Sequence, residues 1–168
     1  GTKTPAMLAA FGDAVEDMGG RYVTAEDVGA SVADMGAISG RTSHVCGLPA
    51  GEGAIGGDPG PFTARGIYLG IKAAAAHALG AADMRGVRVA VQGCGSVGGG
   101  VARLLAADGA ELVLADIDGA RAQALASELG ARTVPADAIL ATECDVFSPN
   151  ALGAILNEAS IPQLACRI

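Results

Sequence analysis

The sequence predicts an α/β protein: a doubly wound parallel sheet carrying most of the chain. Three observations support that. From residue 87 onward, short runs rich in Val and Leu alternate with longer stretches of helical periodicity, and this alternation is the signature of parallel βαβ units. Of the 168 residues, 51% are hydrophobic but only 3% aromatic, with 26 glycines. Such a core of Ala, Val and Leu suits helices packed closely on a sheet. Finally, Gly93, Gly95 and Gly98 form G-x-G-x-x-G at a strand-to-helix junction.

Before that region, TPAMLAAFGDAVEDMGG reads as a helix, with Met7, Leu8, Phe11, Val15 and Met18 at helical spacing and Gly19-Gly20 ending it. A short RYV segment and a loop lead to a second helix from Ser31, and HVCGL is a short strand candidate. Residues 51–61, rich in Gly and Pro, read as a hinge. They divide a partial domain over 1–50 from an α/β domain over 62–168.

A long helix is expected from Pro61 to Gly80, with proline in its first turn. There follow a strand in VRVAVQG, a helix in SVGGGVARLLAADG, a strand in ELVLADID, a helix in ARAQALASELG and a short strand in RTVP. ADAILATE reads as a short helix, CDVFSPN as a strand, ALGAILN as a helical turn, and ACRI as the start of a further strand.

Charge excludes one class of partner. The formal net charge is −7, and the 11 lysines and arginines form no run, whereas a nucleic-acid partner needs a basic patch. No long uncharged apolar stretch suggests a membrane span, so a cytoplasmic chain is expected. Cys46, Cys94, Cys144 and Cys166 show no C-x-x-C spacing and only two histidines are present. These are expected to be reduced, mostly buried thiols, with no metal site.

The glycine motif follows a buried strand, opens a helix and precedes a second apolar strand ending at Asp116. That arrangement is the fingerprint of a Rossmann-type dinucleotide domain. Gly93 allows the tight turn, Gly95 lets a pyrophosphate approach the backbone, and Gly98 allows close packing of helix on strand. Cys94, Ser96, Val97 and Gly99 complete the turn, whose helix N-terminus offers N–H groups to phosphates. Asp116, followed by Ile117, accepts from ribose hydroxyls and repels a 2′-phosphate, which favours NAD over NADP. Arg121 lies near enough in sequence to soften that charge, or is a solvated helix residue. The alternative is a glycine-rich turn in another α/β domain; strand, helix, second strand and acid standing in register favour the dinucleotide.

Five segments, GGRYVTAEDVGASVADM, GGDPGPFTARGIYLGIKAA, VRVAVQGCGSVGGG, ELVLADID and ECDVFSPNALGAILNEASIPQL, resemble in this order the Glu/Leu/Phe/Val dehydrogenase family, and within it the leucine, valine and phenylalanine dehydrogenase branch. The resemblance implies NAD-dependent oxidative deamination of a branched-chain or aromatic L-amino acid to its 2-oxo acid, in a homo-oligomer. It implies that Asp27 handles protons during imine hydrolysis; read without it, Asp27 is a helix cap in a polar turn. It places Thr63 near the nicotinamide carboxamide, otherwise an ordinary first-turn residue, and Asn150 and Ala151 at the nicotinamide pocket.

The sequence also departs from the family. The lysines that catalyse there have no counterpart: Lys3 and Lys72 are the only two, and neither matches. Gly36, Gly60, Arg65, Ser96 and Asn150 replace an acid, a serine, a tyrosine, an asparagine and a cysteine. Gly99 and Gly100 replace larger residues and are expected to weaken their helix by about 1 kcal/mol each. The pattern suggests a chain truncated at both ends, whose first domain is a remnant of a substrate domain. Two other readings stand beside the enzyme: a non-catalytic NAD-binding module or pseudoenzyme, and a fold remnant that binds nothing.

Overall fold

A computed structural model of the chain describes residues 3–49 and 56–168. Most of the expected hinge lies outside the described residues. The chain divides into two compact units, Gly1–Pro59 and Gly60–Ile168.

The first unit is built on two helices. Helix α1 (Pro5–Asp17) starts where Thr4 accepts from the Met7 N–H, with Pro5 at its first position. Its buried residues are Gly12 and Val15; Met7, Phe11 and Met18, which recur at helical spacing, are 42–50% exposed. A Cβ on Gly12 would stand 2.7 Å from the Arg41 Cβ, so only glycine lets the 38–41 segment approach. Helix α2 (Val32–Ser39) opens with a capping box: Ser31 accepts from the Asp34 N–H, and the Asp34 carboxylate accepts from the Ser31 N–H. The strand expected in HVCGL is reduced to one bridge, Thr24 with Val45, closed by N–H donations from Thr24 to His44 and from Cys46 to Thr24.

The second unit carries the sheet. Helix α3 (Gly60–Leu79) precedes β1 (Arg88–Gln92), α4 (Ser96–Ala107), β2 (Glu111–Ala115), α5 (Gly119–Leu129), β3 (Arg132–Thr133) and β4 (Val146–Pro149). The strands are parallel, in spatial order β3-β2-β1-β4. At the last residues, Ile168 donates to the Asp145 carbonyl (3.0 Å) and accepts from the Phe147 N–H (2.8 Å). That is the bonding of a parallel partner opposite Val146, so ACRI does run beside β4.

The two sheet faces bury different clusters. Val89, Val91, Leu112, Leu114 and Val146 pack under α3, α4 and α5, around Leu105, Val101 and Ala75. Ala90, Val113, Ala115 and Phe147 face the other way, onto Ile139 and Cys144. Each central strand is buried on both faces, as parallel sheets require.

Two expected helical pieces are not formed. Residues 136–143 make successive turns, with Ala138 donating to Pro135 and Thr142 to Ile139. The segment instead presses Ile139, fully buried, onto the sheet. Residues 151–157 are bends and irregular chain, where Ala154 takes a positive φ of 65° that breaks helical geometry. The helical piece lies further on, as a 3₁₀ turn over Ile161–Gln163. The expected weakness at Gly100 is also revised: a Cβ there would meet the Ala64 Cβ at 2.8 Å. Glycine here lets α3 and α4 touch, so its poor helix propensity is offset by packing.

Asp145 ties the foot of β4 to β1. Its carboxylate accepts from the Arg88 N–H (2.9 Å), Nε (3.2 Å) and Nη2 (3.1 Å). The Arg88 guanidinium, and then the Arg88 N–H, hold the Asp145 carboxyl below its usual value. A carboxylate so lowered stabilises the fold above the ordinary carboxylate range and loses that contribution as pH falls through its folded value. Asp145→Ala is expected to cost about 2 kcal/mol at neutral pH, the cost of losing hydrogen bonds to a charged acceptor. Urea denaturation should show this gap from wild type narrowing at pH 3; a gap constant with pH would refute it.

Candidate functional site

The site is built where β1 and β4 end. In a sheet ordered β3-β2-β1-β4, connections leave β1 to one side and reach β4 on the other, so a crevice opens beyond these strand ends. Gly93 leaves β1 at φ 89°, a left-handed conformation that glycine adopts without strain. Its N–H donates to the Ala115 carbonyl (2.8 Å), extending the β1–β2 ladder by one residue.

The expected roles of the three glycines separate cleanly. A Cβ on Gly98 would lie 1.9 Å from the Gly93 carbonyl oxygen and 3.0 Å from the Asn150 Cβ. A Cβ on Gly93 would lie 2.7 Å from the Asn150 carbonyl oxygen. Turn, helix and β4 terminus therefore meet at van der Waals contact, and Asn150 donates its N–H to the Gln92 carbonyl (2.7 Å). Gly95 differs. It is exposed, its φ of −74° suits any residue, and a Cβ on it would meet nothing within 4 Å. Open space over bare backbone at a helix N-terminus has the form that a pyrophosphate requires, since a larger side chain at Gly95 would fill it. Gly95 is the N-cap of α4 and no side chain caps the helix, so its positive end faces that space.

Asp116 lies under the turn. Its side chain is only 5% exposed. Oδ2 accepts from the Cys94 N–H (2.7 Å) and Oδ1 from the Asp118 N–H (2.8 Å). Arg121 brings Nη1 to 3.7 Å from Asp116 and Nη2 to 3.3 Å from Asp118. Each carboxylate oxygen keeps a further acceptor site. Ile117, beside it, is 95% exposed. Asp118 is the N-cap of α5 and accepts from the Arg121 N–H (3.2 Å), a role the sequence reading did not assign.

Cys94 belongs to the turn, but its thiol faces inward: Sγ lies 3.7 Å from the Ala115 carbonyl. Burial first, and then the Asp116 charge, push this thiol up to about 11. Its N–H is already held by Asp116, so Cys94 shapes the turn instead of offering a side chain to a ligand. Nor are the cysteines mostly buried: Cys94 and Cys144 are, Cys166 is partly covered and Cys46 is exposed.

Ser96 and Val97 form the first turn of α4, and Gly99 beside Gly98 is buried. Ala151 follows Asn150 at the end of β4. Thr63 is exposed in the first turn of α3, one residue before the Ala64 that faces Gly100. Gln92 was missed by sequence reading. Its Oε1 is buried without a partner, as is the Asn150 Oδ1. Each residue ends a strand at the crevice, and a polar residue closing an apolar strand was the available signal.

Asp27 lies in the first unit, exposed, in a turn. Its carboxylate accepts from the Val28 N–H (2.7 Å) and its carbonyl from the Ala30 N–H (2.8 Å). It is not the cap of α2, which is Ser31. Among the described residues, no group of three or more His, Cys, Asp and Glu is placed to hold a metal ion, and no helix is long and apolar enough to cross a membrane.

No protein-family model matches the chain. Individual relatives do. Leucine dehydrogenase of Geobacillus stearothermophilus is 43% identical over 166 residues, covering 99% of this chain and 45% of the relative. Valine dehydrogenase of Streptomyces virginiae is 36% identical, covering 99% of this chain and 47% of the relative. The crystal structure of L-tryptophan dehydrogenase from Nostoc punctiforme superposes with a TM-score of 0.72 at 34% identity, covering 98% of this chain and 46% of that one. The chain thus spans about half the length of the proteins it matches. The Rossmann-type architecture, the sequence similarity along nearly the whole of this chain and the shared fold together make it a homologue of the leucine, valine and tryptophan amino-acid dehydrogenases.

Proposed function

We propose that this chain is the cofactor-binding part of an NAD-dependent dehydrogenase that oxidatively deaminates an apolar L-amino acid, branched-chain or aromatic, to its 2-oxo acid. The observation that carries the reading is the glycine turn at the β1–β4 switch point, anchored on Asp116, in a chain homologous throughout to such dehydrogenases. NAD is the cofactor: a buried carboxylate at the ribose position accepts from hydroxyls and repels a 2′-phosphate. When bound in this turn, NAD would supply the hydride acceptor for oxidation at the substrate α-carbon.

The protein's part is to bind and orient. The N-terminus of α4 faces the pyrophosphate across Gly95, and Asp116 with the exposed Ile117 receives the adenosine end. Thr63, Asn150 and Ala151 lie on the nicotinamide side, where Thr63 supports the carboxamide. Asp27 takes and returns a proton as water adds to the imine. The enzyme works in the cytoplasm as a homo-oligomer on free amino acids.

A second reading, an NAD-binding module without turnover, draws support from the lysines. Lys72 pairs with Asp108 at 2.6 Å and with the Tyr68 hydroxyl, and Lys3 pairs with Asp34. Neither is offered for polarising a substrate carbonyl, the electrostatic contribution such chemistry most needs. Calorimetric titration with NAD and NADP tests the cofactor assignment, and an assay of L-leucine oxidation tests the second reading. This chain alone is expected to bind NAD, to bind NADP at least tenfold more weakly, and to show no turnover. Binding of neither cofactor would overturn the assignment; turnover would discard the second reading.

A further inference from the structure

We infer that Cys144 and Cys166 form a disulfide site that ties the last segment of the chain to the foot of β4. The inference is independent of the cofactor reading and stands on register and packing. Ile168 is bonded as the parallel partner of Val146. Continued two residues back along each segment, that register sets Cys166 opposite Cys144, and the Cys144 N–H donates to the Ala165 carbonyl (3.2 Å) with the same offset as Phe147 to Ile168. Adjacent strands run about 4.8 Å apart, inside the Cα separation of about 4.4–6.8 Å that a disulfide spans. Both residues pack into one cluster with Ala90, Val113, Ile139 and Phe147, and Leu140 and Leu164 lie against it. Burial raises the Cys144 thiol, and the nearby Cys166 adds to that rise.

The other two cysteines are placed differently. Cys94 is buried under the glycine turn, and Cys46 is exposed in the first unit. The partly exposed Cys166 is the sulfur an oxidant meets first. With a peroxide, its thiolate attacks one oxygen, the O–O bond breaks, and a sulfenic acid forms with release of water. The Cys144 sulfur then attacks the Cys166 sulfur, the S–O bond breaks, and a second water leaves. Two thiols have lost two electrons and two protons, and one peroxide has become two waters.

The test uses the whole chain carrying Cys46→Ser, which removes the exposed thiol and with it cross-linking between copies. On treatment with hydrogen peroxide, thiols titrated after denaturation should fall from three to one. The intact mass should drop by two hydrogens. Cleavage after Glu143 and Glu158 puts Cys144 and Cys166 on separate peptides, held together only by the new bond. Adding Cys166→Ser should abolish the link. Oxygen added at Cys166 without loss of the Cys144 thiol, or a link through Cys94, would overturn the inference. The same map on the wild-type chain at low concentration gives the answer without relying on either variant.

Discussion

Gly98→Ala is expected to destabilise the second unit by about 3 kcal/mol and to lower NAD affinity at least a hundredfold. The added Cβ would lie 1.9 Å from the Gly93 carbonyl oxygen. No flexible side chain can yield there, since the opposing atom is backbone. Relief requires α4 to move off β1, or the turn to move off β4, and overpacking of this kind costs about 1–3 kcal/mol or more. Alanine's better helix propensity returns only about 1 kcal/mol. The same displacement carries Gly95 and the α4 N-terminus away from Asn150, so affinity falls further than stability alone would predict. Gly95→Ala is the matched control. Its Cβ meets nothing within 4 Å, so stability should be nearly unchanged while NAD affinity drops. Urea denaturation and calorimetric titration of both variants check the pair. A stable Gly98→Ala variant, or a Gly95→Ala variant that binds as wild type, would contradict this account of the turn.

The second large effect is expected at Asp116. Asp116→Ala should weaken NAD binding about 10–100-fold, the loss of one hydrogen bond to a charged acceptor at about 1.5–3 kcal/mol. Two effects add. The ribose loses its acceptor, and the Cys94 and Asp118 N–H groups lose theirs, which loosens the turn that meets the phosphates. Asp116→Asn separates them. Its amide oxygen can still accept one backbone N–H, so it should keep more stability than alanine while losing much of the affinity. NADP is the diagnostic ligand: removal of the carboxylate leaves Arg121 beside the 2′ position, and the preference for NAD over NADP should shrink. An unchanged preference would place the ribose elsewhere.

The geometry of the glycine turn was legible because its logic is local. Gly93, Gly95, Gly98 and Asp116 lie within one strand-helix-strand passage, and each glycine's reason lies in backbone geometry that sequence spacing encodes. The strands were legible for the same reason: runs such as Val89-Ala90-Val91 are apolar on both faces. What escaped depends on distant partners. Residues 136–143 have helical composition, but Ile139 is drawn onto the sheet by Ala90 and Phe147, which no local pattern reports. Which positions of α1 are buried was not legible from its apolar spacing, because Gly12, not a large apolar residue, makes its closest approach. Gly100 was read by propensity, and its partner Ala64 lies far back in the sequence. Asp27 was read as a cap or a proton carrier, and the structure removes only the cap.

The anchoring of the glycine turn bears on how fast a ligand could be captured. Gly93 and Cys94 already donate to Ala115 and Asp116, and Asn150 to Gln92. The loop has therefore surrendered its conformational entropy during folding, before any ligand arrives. Association on such a preorganised surface has no loop-ordering step to wait for. Capture should be limited by encounter, with little dependence on temperature beyond that of solvent viscosity, and affinity should be tuned mainly through the dissociation rate.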